Sequence, residues 1–248
     1  MENFSVDNKL ILVVGASRGI GFEIAKSLEK NSAKVIGIAR SDINPSFEYQ
    51  KTDLTKNESI VSFLESIENK NLKFDGIVIN AAISEPPRSS SESKSNIFTQ
   101  DPIKFRDINN NNLVSIYNFL FKIGKFISKN ASLVFISSIG SVQGFPGNPA
   151  YQTSKAGINA LVRALAIDLS PHNIRVNYLN LGYINAPMSK ISYEDKTLRE
   201  ARSSRTILNR WGEINEVIGP IIFLLSDDSS YITGSGINVD GGWLAKGL

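Results

Sequence analysis

Three residues of the sequence have the types and the spacing for proton transfer: Tyr151, Lys155 and Ser138. Tyr151 and Lys155 are four positions apart, so on a helix their side chains share one face. A free phenol has a pKa of about 10, but a nearby ammonium group favours the phenolate and lowers that pKa. Such a tyrosine can exchange a proton with an alcohol or ketone oxygen. Taken alone, the pair fits a surface helix equally well, and Ser138, at the end of a predicted strand, strengthens the catalytic interpretation.

A second informative segment is the glycine-rich run at residues 15–21, which reads GASRGIG and lies between a predicted strand and a predicted helix. Its glycines allow a tight turn and a close backbone approach, and the helix N-terminus offers free N–H groups to a pyrophosphate. Glycines suit any sharp turn from strand to helix, but this context favours a dinucleotide site.

Two arginines bear on which dinucleotide would bind. Arg18 lies inside the glycine loop, and Arg40 follows the second predicted strand, where NAD enzymes usually place an acid for the ribose hydroxyls. Two guanidinium groups near one ribose suit a 2′-phosphate, so we favour NADP(H) over NAD(H). The alternative is a pair of solvated surface arginines.

The elements that must position these residues follow from an alternation of short apolar runs with longer helical patterns. Such runs are typical of strands buried on both faces of a parallel sheet, and the alternation predicts an α/β fold with a doubly wound sheet in a single domain over residues 1–248. The predicted strands are Leu10–Val14, Val35–Ala39, Ile77–Ile79, Leu133–Ile136 and Val176–Leu181. The predicted helices are Gly19–Asn31, Thr55–Glu68, Pro102–Ser128, Pro149–Leu169 and Glu213–Leu225. Two segments break the rhythm: Ser41–Lys51 is too short for a crossover helix, and Ser84–Thr99 has the composition of an exposed loop.

Composition excludes several kinds of site. The chain has 248 residues, no Cys and one His, so it can form neither a disulfide nor a thiolate or multi-histidine metal site. The single His172 is expected in a surface loop. A net charge of +3 without a basic run gives no nucleic-acid footprint. No apolar stretch is long enough to span a membrane and the N-terminus has no signal-peptide pattern, so we expect a cytoplasmic protein.

In combination, these motifs resemble those of the short-chain dehydrogenase/reductase family, over nearly the full length of the chain. The loop at 15–21 resembles the family's TGxxxGIG, residues 53–55 resemble its adenine-contacting motif, and residues 79–82 resemble its NNAG. Asn112 lies at the position of the family's fourth catalytic residue, and residues 231–242 resemble its closing strand. The resemblance implies a single-domain Rossmann fold with a seven-stranded parallel sheet and helices on both faces.

The resemblance also implies the site residues and their roles. Tyr151 would be the general acid in ketone reduction, and Lys155 would hold the nicotinamide ribose and lower the pKa of Tyr151. Ser138 would orient the substrate carbonyl, and Asn112, chosen from the run Asn109–Asn112, would position a water. The implied cofactor-binding residues are Gly15, Ser17, Arg18, Gly19, Ile20, Gly21, Arg40, Asp53, Leu54, Asn80, Ala81, Ala82, Tyr151, Lys155, Gly182 and Ile184.

The sequence departs from the family pattern after the sixth predicted strand. Leu181 replaces a Pro, and Ala186 replaces a Thr whose hydroxyl contacts the cofactor in the family. Losing one neutral hydrogen bond costs about 0.5–1.5 kcal/mol. Cofactor affinity is therefore expected to weaken while the four catalytic candidates stay intact.

The family position of a substrate lid falls at about residues 188–210. This segment has an excess of three positive charges, equal to the net charge of the whole chain. One hypothesis is an anionic or carrier-bound substrate, and the alternative is a solvated amphipathic helix.

The resulting prediction is an NADP(H)-dependent oxidoreductase that interconverts a carbonyl and a secondary alcohol. A 3-oxoacyl thioester reductase is the most similar layout, and a sugar, polyol or other small-alcohol dehydrogenase is the alternative. A non-catalytic dinucleotide-binding sensor is a third hypothesis, against which the retained candidates argue. The family also implies a homotetramer or homodimer, formed by the helices at 102–128 and 149–169 and by the closing segment, whose apolar end at 243–248 is expected to be buried by a neighbour.

Overall fold

A computed structural model describes residues 4–85 and 97–246 of the chain. Most of the predicted loop Ser84–Thr99 and the last two residues of the chain lie outside this range. The described residues form a seven-stranded sheet, all parallel, in the order β3-β2-β1-β4-β5-β6-β9, and a separate two-stranded pair, β7-β8. The strands are β1 Leu10–Val14, β2 Lys34–Ala39, β3 Glu48–Lys51, β4 Phe74–Ile79, β5 Ile127–Ser138, β6 Arg175–Leu181, β7 Ile184–Asn185, β8 Gly212–Glu213 and β9 Gly236–Val239.

The strand order confirms the predicted doubly wound sheet. Strand β1 pairs with β2 on one side and with β4 on the other, so the order of the strands reverses there. A crevice forms at the carboxyl ends of the strands at such a reversal, and this is where ligands bind in open α/β sheets. The glycine loop follows β1 directly and therefore lies at the crevice.

Helices cover both faces of the sheet because each buries an apolar stripe against it. One core cluster joins the sheet to α2, α4 and α5, and a second cluster on the opposite face joins it to α1 and α8. The helices are α1 Gly19–Lys30, α2 Asn57–Asn69, α3 Pro102–Asn109, α4 Ser115–Ile123, α5 Pro149–Asp168, α6 Lys190–Glu194, α7 Lys196–Ser203 and α8 Asn215–Leu225. No helix of the described residues is long and apolar enough to cross a membrane.

The predicted helix over Pro102–Ser128 is helical as far as Ile123, but it contains a change of helix type, and the prediction was wrong at its end. A π-helical turn, Asn110–Val114, separates α3 from α4, and a short 3-10 turn then leads into β5 at Ile127. Strand β5 starts six residues before the predicted Leu133 because Phe74 of β4 pairs with Ile127. Strand pairing thus overrides the local helical pattern.

The short segment Ser41–Lys51 contains β3 at the edge of the sheet and no helix, in agreement with its length. Phe47, just before β3, is buried against the second core cluster. The lid predicted at 188–210 contains α6 and α7, followed by β8, which pairs with β7.

Candidate active site

The structure brings Ser138 and Tyr151 together at the carboxyl end of β5. Ser138 is the last residue of β5, and Tyr151 lies in the first turn of α5, which packs against that strand. The Ser138 hydroxyl lies close enough to the Tyr151 phenol to lower its pKa, and the Ser138 Oγ accepts the Gly140 N–H at 3.1 Å. A serine hydroxyl placed in this way can hold an oxygen atom of a ligand beside the phenol.

The pKa of Tyr151 differs from the expectation of the sequence. Burial raises this pKa to about 12, and the hydrogen bond with Ser138 acts in the opposite direction. Lys155 does not contribute to lowering it in this structure, since its ammonium is 5.7 Å from the centre of the Tyr151 ring and bonds elsewhere. Tyr151 therefore carries its proton at neutral pH.

Lys155 is buried beneath the site, with 4% of its surface exposed. Its Nζ donates a hydrogen bond of 2.6 Å to the carbonyl oxygen of Ile136, on β5. Burial disfavours the charged ammonium and lowers the pKa of Lys155 to about 8. Among the described residues, no Asp or Glu oxygen lies within 4.0 Å of its Nζ, and buried cations of this kind are concentrated in functional sites.

Asn112 lies in the π-helical turn and is 1% exposed. Its side-chain amide accepts the Ile83 N–H at 2.7 Å and donates to the Ile83 carbonyl at 2.8 Å. A further hydrogen bond of 3.0 Å reaches the Ser154 Oγ on α5. Asn109 and Asn111 instead donate to carbonyls four residues earlier on their own helix, which supports the choice of Asn112 among the four asparagines.

The glycine loop forms a cradle that excludes side chains. Gly15 has φ +89°, and a Cβ there would lie 2.7 Å from the Ala81 nitrogen. A Cβ on Gly21 would lie 2.1 Å from the Gly15 oxygen and 2.5 Å from the Asn80 Nδ2. Helix α1 begins after Arg18 without a side-chain cap, so its first N–H groups remain available to an anion.

Two further segments line this cradle. Asn80 Nδ2 donates to the Gly15 oxygen at 3.2 Å, so the segment after β4 holds the loop in place. A Cβ on Gly19 would meet Pro187 at 3.2 Å, which brings the segment after β7 to the same loop. Gly182 donates to the Val239 carbonyl at 2.9 Å. These contacts place the predicted cofactor-binding residues of β4, β6 and β7 around one crevice.

The ribose end of the crevice contains Asp53 and Arg40. The Asp53 carboxylate accepts the Thr55 N–H at 3.0 Å and the Thr55 hydroxyl at 2.7 Å. Burial raises the pKa of Asp53, but the Thr55 hydrogen bonds and the charge of Arg40 outweigh it, and the net shift is downward. Arg40 and Arg18 are exposed, and Leu54 is buried in the core. The crevice thus presents a backbone cradle, a carboxylate and two exposed cations, a set of groups that suits a phosphorylated dinucleotide.

The structure also shows a cluster of aromatic rings that sequence reasoning missed. Tyr183 lies 5.0 Å from Trp211 and 5.1 Å from Trp243, and Trp243 lies 5.9 Å from Phe145, as measured between ring centres. Trp243 is 6% exposed within its own chain, so a neighbour is not needed to bury it. The arginines of the lid were the signal in the sequence that could have predicted this cluster, since guanidinium groups stack on aromatic rings.

Among the residues that the structure describes, no group of three His, Asp or Glu side chains is placed to hold a metal ion. His172 is exposed in a 3-10 turn after α5, as predicted.

Comparison with known proteins gives consistent matches over almost the whole chain. A family model described as enoyl-(acyl carrier protein) reductase matches residues 15–244. A 3-oxoacyl-[acyl-carrier-protein] reductase of Chlamydia trachomatis is 32% identical over 95% of this chain and 97% of its own. A crystal structure of a short chain dehydrogenase family protein from Francisella tularensis has a TM-score of 0.84 and 30% identity, and covers 96% of this chain and 99% of its own. A structure from Beutenbergia cavernae, assigned as an NAD(P)-dependent gluconate 5-dehydrogenase and holding NADP at low occupancy, has a TM-score of 0.86 and 27% identity, over 98% and 99%.

Proposed function

The chain belongs to the short-chain dehydrogenase/reductase family of oxidoreductases, and we propose that it interconverts a carbonyl and a secondary alcohol with NADP(H), using Tyr151 as general acid and base. The observation that carries this proposal is the placement of Ser138, at the end of β5, next to Tyr151, in the first turn of α5, with Lys155 buried one helical turn further on. Two neighbouring hydroxyl groups of this kind suit a reaction at a substrate oxygen.

The residues present fit the dinucleotide. The backbone of the glycine loop and the uncapped start of α1 would hold the pyrophosphate, and Asp53 would lie at the adenosine end. Arg18 and Arg40 are exposed and would face a 2′-phosphate, which favours NADP(H) over NAD(H). The Beutenbergia cavernae structure with bound NADP supports the same choice.

When bound, NADPH supplies the hydride for the carbonyl carbon, and NADP accepts it in the reverse direction. The side chains of the protein handle the proton and the orientation. Tyr151 transfers its phenolic proton to the carbonyl oxygen, and Ser138 donates a hydrogen bond to that oxygen. With a pKa of about 12, Tyr151 holds the proton that reduction needs.

Lys155 and Asn112 position the cofactor and the elements that contain the reacting groups. The Lys155 ammonium would hold the nicotinamide ribose with the N–H groups that it does not use on Ile136. Asn112 joins the segment after β4 to α5 through Ile83 and Ser154, and so fixes the distance between the cofactor cradle and Tyr151.

Two substrate classes fit the relatives. The Chlamydia trachomatis relative is named as a 3-oxoacyl-[acyl-carrier-protein] reductase. The Beutenbergia cavernae protein is assigned as a gluconate 5-dehydrogenase. Both substrates offer a carbonyl or secondary alcohol to the same pair of hydroxyl groups. NADPH oxidation with a panel of β-ketoesters, ketones and oxidised sugar acids tests the proposal. A dinucleotide-binding sensor would oxidise NADPH with none of them.

The proposal includes a homotetramer or homodimer that acts in the cytoplasm. Helices α4 and α5 and the π-helical turn before α4 expose apolar side chains, among them Val114 at 46%, Tyr117 at 53%, Phe121 at 81% and Ile167 at 74%. A cavity of about 330 Å³ opens on this surface beside Leu113, Val114, Tyr117, Gly157 and Leu161. An apolar surface of this kind suits a contact with a second copy across a two-fold axis. Light scattering that gives a monomer for the wild-type protein at micromolar concentration would contradict this part of the proposal.

A further inference from the structure

The six basic residues of the lid do not contribute equally to its charge. Arg199 donates a hydrogen bond to the Tyr193 carbonyl, at 3.4 Å. Across the described parts of the chain, no Asp or Glu oxygen lies within 4.0 Å of a nitrogen of Arg202 or Arg205. The other three basic residues form ion pairs, Lys190 with Glu194 at 3.6 Å, Lys196 with Glu200 at 3.9 Å and Arg210 with Glu216 at 2.6 Å. The positive excess of the lid is therefore carried by Arg199, Arg202 and Arg205, and the last two lie beside the aromatic cluster of Tyr183 and Trp243.

Aromatic rings hold both of these guanidinium groups. Arg202 lies over the ring of Tyr183 at 4.5 Å, and Arg205 lies over the ring of Trp243 at 5.9 Å. A stacked guanidinium group keeps the N–H donors along its edge free for a planar anion. Tyr183 comes directly after Gly182, one of the proposed cofactor-binding residues, so the Arg202 side chain contacts the loop that contains Gly182.

A cavity of about 760 Å³ opens beside Arg205. Its lining combines cations, an amide and a hydroxyl group with a few apolar side chains. The lining residues are Val142, Gln143, Gly144, Ser204, Arg205, Trp243, Leu244 and Lys246. The Nζ of Lys246, the last described residue, donates hydrogen bonds to the backbone carbonyls of Ser204 and Thr206. These bonds connect the segment around Lys246 to the lid.

The loop that forms one wall of this cavity also contacts the catalytic serine. A Cβ on Gly140 would lie 3.4 Å from the Ser138 Oγ and 3.6 Å from the Phe145 ring. Phe145 packs against Trp243, and its backbone is held by the Gln152 side chain at 2.6 and 2.7 Å. Gln152 is the neighbour of Tyr151 in the chain. The loop that begins at Ser138 therefore connects the proposed reacting groups to the wall of the cavity that Arg205 also lines.

We infer that the substrate is a polyhydroxy acid whose carboxylate is bound by Arg205, with Lys246 as a second cation at the same cavity. This inference rests on the proposed function and names its substrate class. A bidentate contact between guanidinium and carboxylate is the strong form of this recognition. The hydroxyl groups of such an acid would pair with the Ser204 and Gln143 side chains.

An acyl chain on a carrier fits this lining less well. A ligand that covers the polar groups of this lining removes them from water, which costs free energy when it offers them no partner, and an alkyl chain offers them none. Gln143 already accepts the Trp243 indole N–H at 2.9 Å, so its amide NH2 is the group that a ligand hydroxyl can use. The lining thus favours a sugar acid over a thioester of a fatty acid.

The test compares a carboxylate with its neutral amide in the holoenzyme. Oxidation of D-gluconate and of D-gluconamide by NADP is measured for the wild type, Arg205→Gln, Arg205→Lys and the matched lid variant Lys196→Gln. Binding of tartrate to the NADP-saturated proteins is measured by calorimetry, as a readout that does not depend on turnover. Charge-assisted hydrogen bonds lead us to expect a loss of about 10- to 100-fold in kcat/KM for gluconate and in tartrate affinity for Arg205→Gln.

The remaining variants decide what such a loss means. We expect Arg205→Lys to recover part of it and Lys196→Gln with gluconate to stay within about twofold of the wild type. Arg205→Gln is expected to lose several-fold less with gluconamide than with gluconate, because the amide has no negative charge. An equal loss of kcat/KM for gluconate and gluconamide in Arg205→Gln would overturn the inference. So would a wild-type enzyme that turns over 3-oxoacyl thioesters but no sugar acid of a panel. Both results would leave the proposed function intact. If no carbonyl or alcohol is turned over at all, the proposed function itself fails.

Discussion

The Lys155 ammonium group donates a hydrogen bond of 2.6 Å to the Ile136 carbonyl oxygen, two residues before the serine that bonds Tyr151. This contact fixes α5 against the central strand β5 at the height of the reacting groups. It also places a cation in a buried position, which lowers the pKa of Lys155 to about 8. Burying the charged ammonium group of Lys155 therefore lowers the free energy of unfolding at any pH where the group is protonated.

Replacing Lys155 with Met is expected to stabilise the protein at pH 7. Unfolded lysine has a pKa of about 10.4, so below pH 8 both states are protonated and the cost of burying the charge is fully present. That cost disappears as the pH rises from 8 towards 10.5, where the folded lysine is neutral. We expect Lys155→Met to gain about 1–3 kcal/mol in unfolding free energy at pH 7 and to lose that gain at pH 10.5.

Urea titrations at the two pH values measure this difference. The exposed variant Lys104→Met reports the general effect of removing one positive charge. A Lys155→Met protein that is less stable than the wild type at pH 7, or whose advantage does not change with pH, would show that the ammonium is not penalised by burial.

Gly21→Ala is expected to disturb the cofactor cradle. The added Cβ would meet the Gly15 carbonyl oxygen, which is backbone and cannot move aside as a side chain would. We expect a loss of about 1–3 kcal/mol in stability and a weaker binding of NADPH. Gly124→Ala is the matched control, since nothing lies within 4 Å of its Cβ and its φ is −50°. Equal unfolding midpoints for the two variants would contradict the tight packing of the loop.

Arg40→Gln is expected to weaken NADPH binding by about 10-fold or more, with little change for NADH, because only NADPH carries the 2′-phosphate. Fluorescence titration of both cofactors gives the two Kd values. Lys56→Gln is the matched control, because Lys56 also lies close enough to Asp53 to lower its pKa but is not among the proposed cofactor-binding residues. Equal losses for NADPH and NADH would remove Arg40 from the phosphate site.

The sequence was sufficient to predict the central part of the fold. Val14 ends a run of buried apolar residues, and Gly15 begins the loop that follows it, so the strand, the turn and the start of α1 could all be read locally. Tyr151 and Lys155 are on one helix, and their shared face follows from helical periodicity alone. These predictions held because each depends on residues near in sequence.

Features that depend on distant contacts could not be predicted. Ile127 belongs to a strand because it pairs with Phe74, more than fifty residues earlier in the chain. The π-helical turn around Asn112 depends on hydrogen bonds to Ile83 and Ser154, which come from two other segments. Neither partner is visible in the local pattern.

The lid shows the same limit for charge. Its excess of basic residues was visible in the sequence, and so was the spacing that pairs Lys190 with Glu194 and Lys196 with Glu200. Only the packing shows that Arg205 lies over Trp243, which comes from the far end of the chain.

The central claim is that Tyr151 transfers the proton in an NADP(H)-dependent reaction at a carbonyl, and Tyr151→Phe tests it most directly. Phe keeps the ring and loses only the hydroxyl group that bonds Ser138. With a carbonyl substrate that the wild type reduces, we expect kcat/KM of the variant to fall by about 100- to 10,000-fold, while it stays folded and still binds NADPH. A variant that oxidises NADPH as fast as the wild type with that substrate would contradict the account.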